Sequence, residues 1–122
     1  VVTAGSVDPA NAKAVRASAG SLFHVPVLSG VPLADAVADL REQAFTILAA
    51  DMAGARDLTD LTRDGTLAGD VAWVLGNEAW GLPPEDAALA DEVVRVPMRG
   101  RAESLNLASA AAVCLYATAT AR

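Results

Sequence analysis

The chain has 122 residues, 53% of them hydrophobic and only 4% aromatic, with 15 acidic against nine basic side chains and a net charge of −6. That length fits one domain with a substantial core, the acidic balance argues against a general polyanion binder, and the single cysteine, Cys114, excludes an internal disulfide. No apolar run reaches the roughly 18 residues of a membrane span and no leader pattern opens the sequence, so a soluble protein of the reducing cytoplasm is expected.

In chain order, "VVTA" at 1–4 reads as a strand. It has no capping turn or helix before it, so the expectation is that these residues are part of a longer protein. "DPANAKAVRASAG" follows, with Asp8 placed as helix N-cap, Pro9 at the first helical position and Gly20 as the stop. "LFHVPVL" at 22–28 reads as a second strand, with His24 as a partly buried structural residue. "PLADAVADLREQA" puts Leu33, Val37 and Leu40 on one stripe, the mark of an amphipathic helix.

"FTILAA" at 45–50 reads as the third strand, and the looser segment 51–70 as a short helix around Leu58 to Leu61. Asp51, Asp57, Asp60, Asp64 and Asp70 concentrate charge there, as a solvated loop would. "VAWVLG" at 71–76 and "EVVRVPM" at 92–98 complete the strands, with a short helix over 84–90 between them. From Ser104 to Thr120 an Ala-rich helix, with Ser104 as its cap, is apolar nearly all round through Leu105, Leu107, Val113, Leu115 and Tyr116. One sheet face covers only one side of such a helix, so a second copy of the chain is expected on the other. Strands joined by helical connections give the α/β class: a mainly parallel sheet, helices on both faces, in one domain over 1–122.

Parallel sheets bind ligands beyond the carboxyl ends of their strands, here the loops after residues 50, 76 and 98. The spacing of Gly76 and Gly81 is that of a phosphate loop, but Leu82 and Pro83 stand where Lys and Ser/Thr are required, and no G-x-G-x-x-G follows a strand. One His and one Cys, far apart, make no metal cluster. Gly76, Asn77 and Glu78, with Gly81, form a glycine-edged loop suited to backbone contact with a ligand. Arg95, Arg99 and Arg101 place three positive charges within seven residues, and Trp80 reads as a packing residue.

Two of these stretches, "GNEAWGL" and "VPMRGRAESLNLASAAAVCLYA", carry a resemblance. Together, in this order and separation, they resemble the second and third motifs of the SpoU/TrmH-type (SPOUT) RNA ribose methyltransferases. "SVDPANAKAVRASAGSLFHVPV" is similar to the stretch after that family's first motif, an Asn, Gly, Arg pattern that is absent here. The resemblance implies a C-terminal trefoil knot and transfer of a methyl group from S-adenosylmethionine to a ribose 2′-hydroxyl of structured RNA, rRNA or tRNA, by a homodimer joined through the C-terminal helix, with no metal. It assigns Glu78, Ser104 and Asn106 to the catalytic site. Leu75, Gly76, Asn77, Val96, Met98, Gly100 and Leu105 fall to the cofactor, and Arg99 and Arg101 to RNA phosphates. The missing first motif leaves a second expectation, a cofactor-binding and dimerisation module that is catalytically incomplete.

Overall fold

Asn11 starts the first helix, α1 (Ala12–Ala17), by accepting the Lys13 N–H at 2.9 Å. Asp8, expected in that role, instead accepts from Ala10 N–H at 2.9 Å in a local turn. The computed structural model describes residues 1–77, 80–101 and 104–122. Its contacts divide the chain into two units, Val1–Ala38 and Asp39–Arg122.

In the first unit β1 (Val2–Thr3) pairs in parallel with β2 (Ser29–Val31). The strand expected at 22–28 does not form there: Ser21–Phe23 make a 3-10 turn and only Ser29–Val31 pair. Pro26, which lacks an N–H, interrupts the apolar run. His24, at the end of the turn, is exposed rather than partly buried. The helix α2 (Leu33–Glu42) follows its expected stripe: Val37 is buried, Leu33 and Leu40 half-buried.

The second unit holds a four-stranded sheet in the order β4 (Arg56–Asp57), β6 (Glu92–Arg95), β3 (Thr46–Ala50), β5 (Val71–Leu75), every pairing parallel. β3 is flanked on both sides, and its Ile47, Leu48 and Ala49 are fully buried, which is why this strand reads as an unbroken apolar run. Register sets Ala50 beside Leu75 on one side and Val94 on the other, so β3 and its two neighbours, β5 and β6, end close together. The expected strand over 92–98 stops at Arg95, two residues before Pro97, which cannot donate to a ladder.

α3 (Leu58–Asp64), α4 (Pro84–Ala87) and α5 (Leu107–Thr120) complete this unit. Leu48, Leu58, Leu61, Leu67, Val94 and Cys114 form its core, with Trp73, Val96 and Ala117 packed against it. The indole N–H of Trp73, on β5, donates to Thr118 Oγ1 at 3.0 Å, and that hydroxyl donates to the Cys114 carbonyl at 3.0 Å. The buried Thr118 is thereby satisfied and α5 is fixed to the sheet.

The acidic segment stays largely exposed, as its composition suggests, and Asp57, Asp60, Asp64 and Asp70 also enter ion pairs. Asp57 accepts from Arg95 Nε at 2.8 Å, tying edge strand β4 to β6. Arg56 bridges Asp64 and Glu92, and Asp70 pairs with Arg122. Hydrogen bonds from the Thr66 hydroxyl and N–H, then the Arg56 guanidinium, hold Asp64 at a pKa of about 2.

Candidate functional site

Beyond the ends of β3 and β5 lies a cleft of about 130 Å³, open to solvent. Its walls come from segments far apart in sequence: Ala50, Asp51 and Met52 after β3, Leu75 to Asn77 after β5, and Val96 after β6. Ser104, Leu105, Leu107 and Ala110 close it from the start of α5. Aliphatic side chains dominate, and Asp51 is the one ionisable group lining it among the described residues.

The turn after β5 explains why two glycines frame it. Asn77 N–H donates to the Gly81 carbonyl at 3.0 Å, and Gly81 N–H returns to the Asn77 carbonyl at 2.8 Å. A Cβ on Gly76 would sit 2.4 Å from the Gly81 carbonyl oxygen and 2.7 Å from Leu82 N. Gly81 has φ +68°, a backbone conformation that L side chains rarely adopt. The expectation was a glycine edge kept bare for a ligand; at Gly76 the space is taken by the chain's own returning backbone.

Of the residues expected in the site, Leu75, Gly76, Asn77, Val96, Ser104 and Leu105 converge on this cleft. Met98 is half-buried outside its lining, and Gly100, Arg99 and Arg101 are exposed beyond it. Neither arginine enters an ion pair among the described residues. Glu78 lies outside the described residues.

Asn106, not Ser104, caps α5: its Oδ1 accepts from Ala108 N–H at 3.0 Å and Ser109 N–H at 3.3 Å. An Asn oxygen can satisfy two of a helix's orphan donors, and the helix starts at Leu107, three residues later than expected. Ser104 is thereby left on the cleft wall. Trp80, expected to pack, is 88% exposed within the Asn77–Gly81 turn.

Sequence reading missed Asp51. The residue stood among five aspartates in a segment read as solvent-facing, and nothing local signals that the end of β3 faces Gly81 and Leu82. Its position in a loop beyond a parallel strand was the available clue.

A family model described as the SpoU rRNA Methylase family matches residues 1–116. The chain belongs to this family. A relative from Archaeoglobus fulgidus, an uncharacterized tRNA/rRNA methyltransferase, is 39% identical over 103 residues, 84% of this chain and 44% of that protein. The 23S rRNA (guanosine-2′-O-)-methyltransferase RlmB of Bordetella pertussis is 32% identical over 106 residues, 87% of this chain and 42% of that one. The chain thus spans less than half the length of these relatives.

Among solved SpoU structures, that of AviRb from Streptomyces viridochromogenes in complex with AdoMet superposes with a TM-score of 0.83 at 31% identity, over 98% of this chain and 47% of that one. An AdoMet-bound rRNA methyltransferase from Sinorhizobium meliloti gives 0.78 at 30% identity, over 97% and 44%. The α/β architecture with parallel sheets is that of the SpoU methyltransferases.

Proposed function

We propose that this chain carries the cofactor cleft of an S-adenosylmethionine-dependent RNA methyltransferase that acts on a ribose 2′-hydroxyl of rRNA or tRNA. One observation carries the reading. In a SpoU-family chain, the turn at Asn77–Gly81 and the start of α5 meet around an apolar cleft at the ends of the parallel strands.

The lining suits a nucleoside methyl donor. Leu75, Val96 and Leu105 offer apolar surface to a purine, and the backbone of Gly76 lies at the edge of the cleft. When bound, the cofactor supplies an electrophilic methyl group on a sulfonium. The protein's task is then positioning: the attacking oxygen must stand in line about 3 Å from the methyl carbon. A ribose hydroxyl is very weakly acidic, so a basic or cationic group must assist its deprotonation. Glu78 remains a site residue by family resemblance in this reading, and Ser104 and Asn106, at the cleft wall and the helix cap, hydrogen-bond substrate or cofactor. The exposed Arg99 and Arg101 hold phosphates of the RNA.

The reading includes the family's trefoil knot, a proposal supported by the way Ser104, Leu105 and Leu107 line the same cleft as the loops after β3 and β5. It also includes a cytoplasmic homodimer through α5. Cys114 and Thr118 are buried on one face of that helix, while Leu115 and Tyr116 are 57% and 72% exposed on the other. The test is transfer of tritiated methyl from S-adenosylmethionine by the full-length protein to unmodified rRNA and tRNA. Nuclease digestion should then yield a labelled 2′-O-methyl nucleoside. Label on a base, or none with either RNA, would refute the reading.

A further inference from the structure

Asp51 is the feature of the cleft for which family membership gives no role. Its backbone continues the β3–β6 ladder, the N–H donating to the Val94 carbonyl at 3.0 Å. Its Oδ1 accepts from Ala53 N–H at 2.8 Å, which fixes the plane of the carboxylate. Oδ2 is 3.5 Å from Leu82 N, at the outer limit of a hydrogen bond. A Cβ on Gly81 would come within 3.3 Å of that oxygen, so the glycine keeps the approach to it clear.

A carboxylate offers about four lone-pair sites, and one strong bond leaves most of them for a ligand. Asp51 is half-buried in a lining that also holds Leu75, Val96 and Leu105, so a ligand that fills the cleft must donate to this carboxylate or leave it unpaired. The methyl donor could meet it with its sulfonium, the α-ammonium of its amino-acid arm, the adenine amino group or the ribose hydroxyls, and the deoxy forms titrated below report on the last of these alone. Methyl transfer removes the positive charge from sulfur. A carboxylate at the sulfonium would therefore stabilise the ground state more than the transition state and slow the reaction. Neutral ribose hydroxyls keep their hydrogen bonds throughout, and an acidic side chain beyond a parallel strand is suited to a ribose hydroxyl.

Resting on the cofactor reading above, we propose that Asp51 selects a ribonucleoside cofactor by accepting hydrogen bonds from the ribose hydroxyls of the methyl donor. Asp51 is a binding residue that sets specificity for the sugar.

The experiment is calorimetric titration of the full-length protein, wild type, Asp51→Asn and Asp51→Ala, with four probes. These are S-adenosylmethionine, S-adenosylhomocysteine, and the 2′-deoxy and 3′-deoxy forms of the latter. Both variants should lose about tenfold or more in affinity for the methyl donor and its product alike. Loss of the contacted hydroxyl should weaken wild-type binding by a similar factor and leave Asp51→Ala nearly unaffected. Asp51→Asn retains an acceptor for Ala53 N–H, which guards against simple collapse of the loop. An undiminished deoxy penalty in Asp51→Ala, or weakening for the sulfonium form alone, would overturn the proposal while leaving the cofactor reading intact. Failure of the wild type to bind either natural nucleoside would overturn both.

Discussion

Gly76 and Gly81 touch: a Cβ at residue 76 would lie 2.4 Å from the carbonyl oxygen of residue 81. The turn that closes the cleft therefore depends on an absent side chain. Gly76→Ala must push the 81–82 backbone away from β5 and break the Asn77–Gly81 pair of hydrogen bonds. We expect a loss of about 2–4 kcal/mol in urea unfolding, in the range for backbone strain and core clashes, together with loss of S-adenosylhomocysteine binding. An alanine variant with wild-type stability and affinity would show that the turn is not built as described.

The cap of α5 makes a second contrast. Asn106 satisfies two N–H groups, so Asn106→Ala should cost about 1 kcal/mol of stability. Ser104→Ala should fall within about 0.5 kcal/mol of wild type. Denaturant midpoints of the two variants decide between the caps. If Asn106 also serves the reaction, its alanine variant loses methyl transfer at temperatures where it is still fully folded.

Thr118 joins β5 to α5. Thr118→Val keeps the shape but leaves the Trp73 indole N–H without its acceptor, and should destabilise the fold by about 1–3 kcal/mol. Thr118→Ser keeps the hydroxyl and should recover the part of that loss due to the hydrogen bond. Near-ultraviolet circular dichroism of the tryptophans would report the altered packing.

Burial raises the Cys114 thiol to a pKa of about 11. At pH 8 the folded protein should react with a thiol reagent only as fast as it unfolds, and rapidly in urea. Fast stoichiometric labelling of the native protein would contradict the placement of Cys114 in the core.

Asp64 gives the acid limb of stability. Its folded pKa, about 2, lies below the ordinary value of 3.8, so its contribution is complete above about pH 4 and disappears as pH falls towards 2. Asp91 acts in the same direction, lowered first by the Ile47 N–H and then by Arg41. The melting temperature should fall across that window, and Asp64→Asn should flatten part of the fall. An identical slope in the variant would remove Asp64 from the acid transition.

The elements with strong local patterns were legible in the sequence: α2 from its stripe, β3 and β5 as apolar runs, α5 from its alanines. The second expected strand was not, because "LFHVPVL" has strand composition but its backbone is set by the turn at Ser21–Phe23 and by Pro26. In the site, Leu75, Val96 and Leu105 could be found from strand ends and motif resemblance. The loop that holds Asp51 was legible from the same rule, but not the approach of its carboxylate to Leu82, 31 positions away. The same holds for Asp57 and Arg95, which look like members of two opposite charge clusters until β4 and β6 are paired.

The most direct measurement is a crystal structure of the protein grown with S-adenosylhomocysteine. The adenosine should lie between the Leu75–Asn77 strand end, Val96 and the Ser104–Leu107 segment, with its ribose hydroxyls towards Asp51. Density for the nucleoside anywhere else on the chain, or a cleft that stays empty at saturating ligand, would contradict the assignment.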